Sequence, residues 1–115
     1  MITSQKLSKN KNISHGFFNQ NGGKSKGIYK SLNCGLGSLD NKDNILKNLK
    51  IVKNKIGKKI KNIYLVHQLH SNKLVFLNKN SNLKKRIKAD AIITDQKKLP
   101  IAVLTADCVP VLLYD

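Results

Sequence analysis

The chain has 115 residues, enough for one domain with a real core, and 40% of them are apolar, which excludes a disordered polar tail. Its net charge of +16 comes from 22 basic against 6 acidic residues. That excess does not describe a sequence-specific nucleic-acid reader, because the one arginine is Arg86, Trp is absent and the lysines are spread along the chain. It reads instead as a solvated surface with non-specific attraction to polyanions.

Residues 1–12 are polar and basic, with Lys6, Lys9 and Lys11, and predict a flexible arm rather than a secretory signal. Ile13–Phe18 predicts a first short strand, with His15 a structural histidine. Asn19–Gly27 is a loop by composition. Its Gly22-Gly23 pair permits positive φ or a close backbone approach, and such a loop can cradle a phosphate through its N–H groups. Ser31–Ser38 is a second glycine-punctuated loop, where Ser31 and Asn33 are candidates to face a ligand. Asp40–Ile56 predicts the one clear helix: Ile45, Leu49, Val52 and Ile56 recur on one face, Asp40 or Asp43 caps the start, and Gly57 stops it.

Beyond the helix, Lys61–Val66 predicts a strand that runs into the polar cluster His67-Gln68-Leu69-His70-Ser71-Asn72. Leu74–Leu77 reads as the return strand of a hairpin, and Ala89–Thr94 as a further strand with Asp90 at its mouth. Ile101–Asp115 is an apolar, β-branched run, the composition of a strand buried on both faces. Asp107, Cys108 and Pro110 interrupt it, so a kink is predicted at Ala106–Pro110, where irregular backbone re-aims a side chain. One helix among several strands without β-α alternation predicts an α+β fold with a mixed sheet.

Two chemistries are open to a thiol and an imidazole at strand ends. Cys108 and His70 supply zinc-type ligands, or they form a nucleophile pair in which histidine lowers the thiol pKa, as in a metal-free cysteine hydrolase. His67 lies three residues before His70, and opposite strand parity directs it elsewhere. Cys34 and Cys108 are too few for a disulfide framework, and no segment is long and apolar enough for a membrane span, so a reducing cytoplasm is the expected location. A basic, non-enzymatic module for RNA or anionic surfaces is a third reading.

Several motifs resemble the YfiH-like family, long called multicopper polyphenol oxidase or laccase-domain proteins and assigned as purine nucleoside phosphorylases. They are His15-Gly16-Phe17-Phe18, Gly22-Gly23, Ser31-Leu32-Asn33-Cys34-Gly35-Leu36-Gly37, Gln68-Leu69-His70-Ser71, Ala89-Asp90-Ala91 and Thr105-Ala106-Asp107-Cys108-Val109-Pro110. They stand in family order from residue 13 onward. The resemblance implies a layered α/β/β/α fold with mixed sheets, of which residues 13–115 are the N-terminal part. It implies phosphorolysis of adenosine, inosine, guanosine or methylthioadenosine, with adenosine deamination also reported, and hence purine nucleoside and phosphate as ligands. It further implies that His70 and Cys108 are catalytic and are two of three ligands of a zinc or copper ion. The third is the histidine of an A-H-x-G-W-R-G motif, expected after the strand that ends at Asp115. Where the family carries arginine, before the Gly-Gly loop and in the helix, this chain has Gln20 and Leu49.

Overall fold

In the computed structural model, which describes residues 1–115, helices and strands fall into separate parts of an α+β chain. Two units are distinguished: Met1–Lys58 with Leu112–Asp115, and Lys59–Val111.

The first unit contains both α-helices. Helix α1 is a single turn, Gln5–Ser8, capped by Ser4, whose Oγ accepts from Leu7 N–H. Ser4 N–H in turn donates to Nε2 of His15 at 2.8 Å, the structural role predicted for that histidine. Ile2 and Phe17 form an isolated antiparallel bridge, which is all the strand pairing that the Ile13–Phe18 segment makes. A 3-10 turn covers Gly27–Tyr29.

Helix α2 spans Lys42–Ile56. Its apolar stripe is as the spacing predicts, with Ile45 buried and Leu49, Val52 and Ile56 half-buried. The cap differs from expectation. Asn41, rather than Asp40 or Asp43, turns its side-chain oxygen onto the N–H groups of Asp43 and Asn44. Asp40 is drawn away, accepting from Ser25 Oγ at 2.5 Å and Asn33 Nδ2 at 3.1 Å. Gly57 ends the helix in extended backbone, its N–H closing onto the Lys53 carbonyl.

The second unit holds four short strands: β1 Tyr64–Leu65, β2 Leu74–Leu77, β3 Ala91–Thr94 and β4 Ile101–Ala102. β1 pairs with β4 and β2 with β3, both in parallel. Neither the predicted hairpin nor a mixed sheet forms. The reason lies in residues 85–90, which run back alongside the end of β1. Tyr64 OH donates to the Lys85 carbonyl, His67 N–H to the Ile87 carbonyl and Ala89 N–H to the His67 carbonyl. Asp90 and Ala91 then donate to the Lys73 carbonyl, so β3 starts beside the start of β2 and can only run with it.

Tyr64, Val66, Leu77, Ala89 and Leu99 make the core of this unit, with Val75, Ile92 and Ile101 packed against it. On the β2–β3 pair, Leu77 points inward at 1% exposure. The alternate positions Leu74, Phe76, Ala91 and Ile93 share the other face and are exposed. The Ile101–Asp115 run is a strand for two residues only. It bends over 106–108, inside the predicted kink, but Val109 and Leu113 stand at 85% and 91% exposure instead of being buried on both faces.

Candidate metal centre

His70 sits on the loop that leaves β1 and enters β2, in a left-handed backbone conformation with φ of 57°. Non-glycine residues adopt that conformation only when something compensates for it. Here the compensation is the carboxylate of Asp90, which lies immediately before β3. One oxygen accepts from the N–H groups of His70 at 2.9 Å and Leu69 at 3.1 Å. The other accepts from Ser71 N–H at 2.8 Å and Ser71 Oγ at 2.6 Å. Successive backbone N–H groups thus form a concavity of the kind that binds anions, filled by a side chain of the same protein. The hydroxyl and N–H of Ser71, with the Leu69 and His70 N–H groups, hold the Asp90 carboxyl down at about 2.

The Cys108 segment comes to the same loop through Gln68. The carboxamide nitrogen of Gln68 donates to the Leu104 carbonyl at 2.8 Å, and its oxygen accepts from Leu104 N–H at 2.8 Å. β1 and β4 pair through backbone up to Leu65 and Ala102, and Gln68 continues that alignment with its side chain. The tie therefore joins the His70 loop to Leu104, four residues before Cys108 and ahead of the bend at 106–108.

Cys108 is a free, exposed thiol, and His70 is exposed as well. His67 is held in the β1 extension by its backbone and also faces solvent. A thiol and an imidazole fit a zinc- or copper-type ion in donor chemistry. They do not close a site alone, since no three His, Cys, Asp or Glu side chains gather within this chain.

In the first unit, N–H groups of the glycine loops that could have faced a phosphate are turned into the fold. Gly23 is needed for close approach: a Cβ there would lie 2.0 Å from the Ser31 carbonyl oxygen. Its N–H donates to Ser31 Oγ, Lys24 N–H to Asn48 Oδ1 and Ser25 N–H to the Ser31 carbonyl, so the fold itself uses these groups. Asn33 likewise turns inward, to Ser38, Asp40 and Gly35. The organiser is Asn48 of α2, fully buried, whose Nδ2 contacts Ser25 Oγ and the carbonyls of Ser31 and Asn33. Sequence patterning points to neither Asn48 nor Asp90 as an anchor. The one available signal was a polar residue on the apolar stripe of a helix. Cys34 is buried in this unit, and burial pushes its thiol up to about 11.

The family profile described as multi-copper polyphenol oxidoreductase laccase matches residues 14–115. The chain belongs to that family. Among curated relatives, a purine nucleoside phosphorylase of Corynebacterium glutamicum is 32% identical over 93% of this chain and 44% of its own length. One from Clostridium acetobutylicum is 40% identical over 73% of this chain and 32% of its own. A third, from Bacteroides thetaiotaomicron, is 30% identical over 100% of this chain and 45% of its own. The crystal structure of the Neisseria meningitidis protein NMB0706 superposes with a TM-score of 0.65 at 36% identity, covering 77% of this chain and 35% of that one. The chain thus spans less than half the length of these relatives. No helix in it is long and apolar enough to cross a membrane.

Proposed function

We propose that this chain is the N-terminal part of a metal-dependent purine nucleoside phosphorylase, with residues 13–115 belonging to one layered α/β/β/α domain. His70 and Cys108 are two of the metal donors. The observation that supports this reading is the Gln68–Leu104 tie, which links the histidine loop to the strand end that leads towards Cys108, in a chain whose curated relatives are named for that activity. The third donor, a histidine followed by x-Gly-Trp-Arg, is not among His15, His67 and His70, and the chain has no Trp.

A bound zinc or copper ion supplies Lewis-acid polarisation of an oxygen on water, phosphate or substrate. The chain's own contribution is placement: Asp90 fixes the backbone of the His70 loop, and Gln68 ties that loop to Leu104, four residues before Cys108. The reaction joins inorganic phosphate to the sugar of adenosine, inosine, guanosine or methylthioadenosine and releases the free base. Deamination of adenosine is a further activity of the same site. With Gln20 and Leu49 at the family's arginine positions, the phosphate contacts come from elsewhere than those two places. Two free cysteines suit a reducing, cytoplasmic setting.

Cobalt and zinc titrations test the metal site. With two donors, zinc affinity is expected to be weaker than micromolar, and a thiolate-to-cobalt absorption band is expected to vanish in both Cys108→Ala and His70→Ala. Fusion to a relative's segment carrying the third-ligand motif is expected to give phosphate-dependent release of purine base from inosine, lost again in Cys108→Ala. Submicromolar zinc binding by the 115 residues alone would contradict the two-donor site. A thiol-dependent hydrolase activity indifferent to metal would instead support the cysteine-hydrolase reading.

A further inference from the structure

We propose that Asp90 is a positioning residue for metal binding, acting through the backbone of the His70 loop and not as a ligand. The proposal rests on the reading of His70 as a metal donor. Three consecutive N–H groups, those of Leu69, His70 and Ser71, converge on the Asp90 carboxylate, and the Ser71 hydroxyl adds a further bond. With both oxygens directed to that loop, the carboxylate is used up as an acceptor and belongs to no group of metal-holding side chains.

The His70 conformation shows what the carboxylate does. At φ of 57° an L-residue is strained, and the direction of its Cα–Cβ bond differs from that of the same residue in extended backbone. Without Asp90 the three N–H groups lose their common acceptor, which is the one contact made to the His70 N–H itself and to both its neighbours. The backbone also links this anchor to the sheet, because Asp90 and Ala91 donate to the Lys73 carbonyl where β2 and β3 begin. Asp90 therefore refers the histidine's orientation to the rigid strand pair. Outer residues that orient a ligand in this way change metal affinity by about 10- to 100-fold.

The test uses the 115-residue chain with Asp90→Ala and Asp90→Asn, the second retaining one oxygen acceptor should the first fail to fold. In metal-free amide hydrogen exchange, the His70 and Ser71 amides are expected to exchange at least about tenfold faster in Asp90→Ala and to an intermediate extent in Asp90→Asn, with the β2 amides unchanged. Parent rates at both residues in both variants overturn the proposal. So does an equal acceleration in β2, which marks a general loss of structure. Zinc competition against a chromophoric chelator gives the second readout: either variant is expected to bind about tenfold or more weakly, with no further loss when His70 is already Ala. Equal weakening by Asp90→Ala in the His70→Ala background overturns it as well. Weak zinc uptake is expected of a two-donor chain; none at all, in the parent chain and in its fusion to a segment carrying the third-ligand motif, refutes the metal reading and with it this proposal, whatever the exchange rates.

Discussion

Leu104 pairs with the side chain of Gln68 as it would with a neighbouring strand, giving its N–H and accepting at its carbonyl, both at 2.8 Å. The backbone ladder between β1 and β4 has ended by this point, and a carboxamide, like a peptide group, can both donate and accept in the same plane. Gln68→Ala is expected to cost about 1–2 kcal/mol and to speed hydrogen exchange at Leu104. Gln68→Glu keeps the acceptor but loses the donor, so it should protect the Leu104 amide better than Ala does. Equal exchange rates in all three proteins would show that the contact is incidental.

Asn48 offers a second prediction. Its buried carboxamide satisfies Lys24 N–H and the carbonyls of Ser31 and Asn33, three backbone groups from the two glycine loops. Asn48→Ala removes all three bonds; the Ser31 carbonyl keeps its bond from Ser25 N–H, whereas the Lys24 N–H and the Asn33 carbonyl lose this partner, at about 1–3 kcal/mol for each group that water does not reach. Urea denaturation is expected to show a loss of at least about 2 kcal/mol, larger than for Ala at the exposed neighbour Lys47.

The pH dependence follows from Asp40. The Ser25 hydroxyl above all, then Asn33 and the Asn41 N–H, hold its carboxyl below the ordinary value of 3.8. A carboxyl with a depressed folded-state pKa binds protons more readily when the chain unfolds, so its stabilisation is present above the ordinary value and fades as pH falls below it. Melting temperature measured from pH 5 downward is expected to drop less steeply for Asp40→Asn than for the parent. Identical slopes would remove Asp40 from the account.

The two cysteines should separate cleanly in their chemistry. Cys34 is buried with its thiol pushed up to about 11, whereas Cys108 is exposed. Brief iodoacetamide treatment of the native protein at pH 8 is expected to label Cys108 alone, with Cys34 following only in denaturant. Intact-mass and peptide analysis decides it, and early labelling of Cys34 would show that its burial is not maintained.

Much of the fold was legible where one periodicity acted alone. The stripe of Ile45, Leu49, Val52 and Ile56 places α2 to within two residues of its start, and the apolar runs at 74–77 and 91–94 mark β2 and β3. Their pairing was not legible. A strand after a polar loop looks like the return arm of a hairpin, and nothing in Leu74–Leu77 announces that residues 85–90 have already taken the place beside β1. The 101–115 run misled for a related reason: composition reports how apolar a segment is, not whether a surface within the same chain covers it. At the candidate site, His70 and Cys108 were legible as residue types with metal chemistry. Asp90 was legible as an acid at the mouth of a strand and Gln68 as part of a motif beside His70, but the contacts they make were not, because both act on backbone groups distant in sequence.

The open side of the β2–β3 pair has a consequence for handling the molecule in solution. Leu74, Phe76, Ala91 and Ile93 form an apolar tile on a body of charge +16, so two such bodies repel before their tiles can meet. Salt shortens the reach of that repulsion from about 10 Å at 0.1 M to about 3 Å at 1 M. Light scattering should therefore rise with sodium chloride, and Phe76→Lys should suppress the rise. In this protein the lysines act as a colloidal safeguard, and brine is what disarms it.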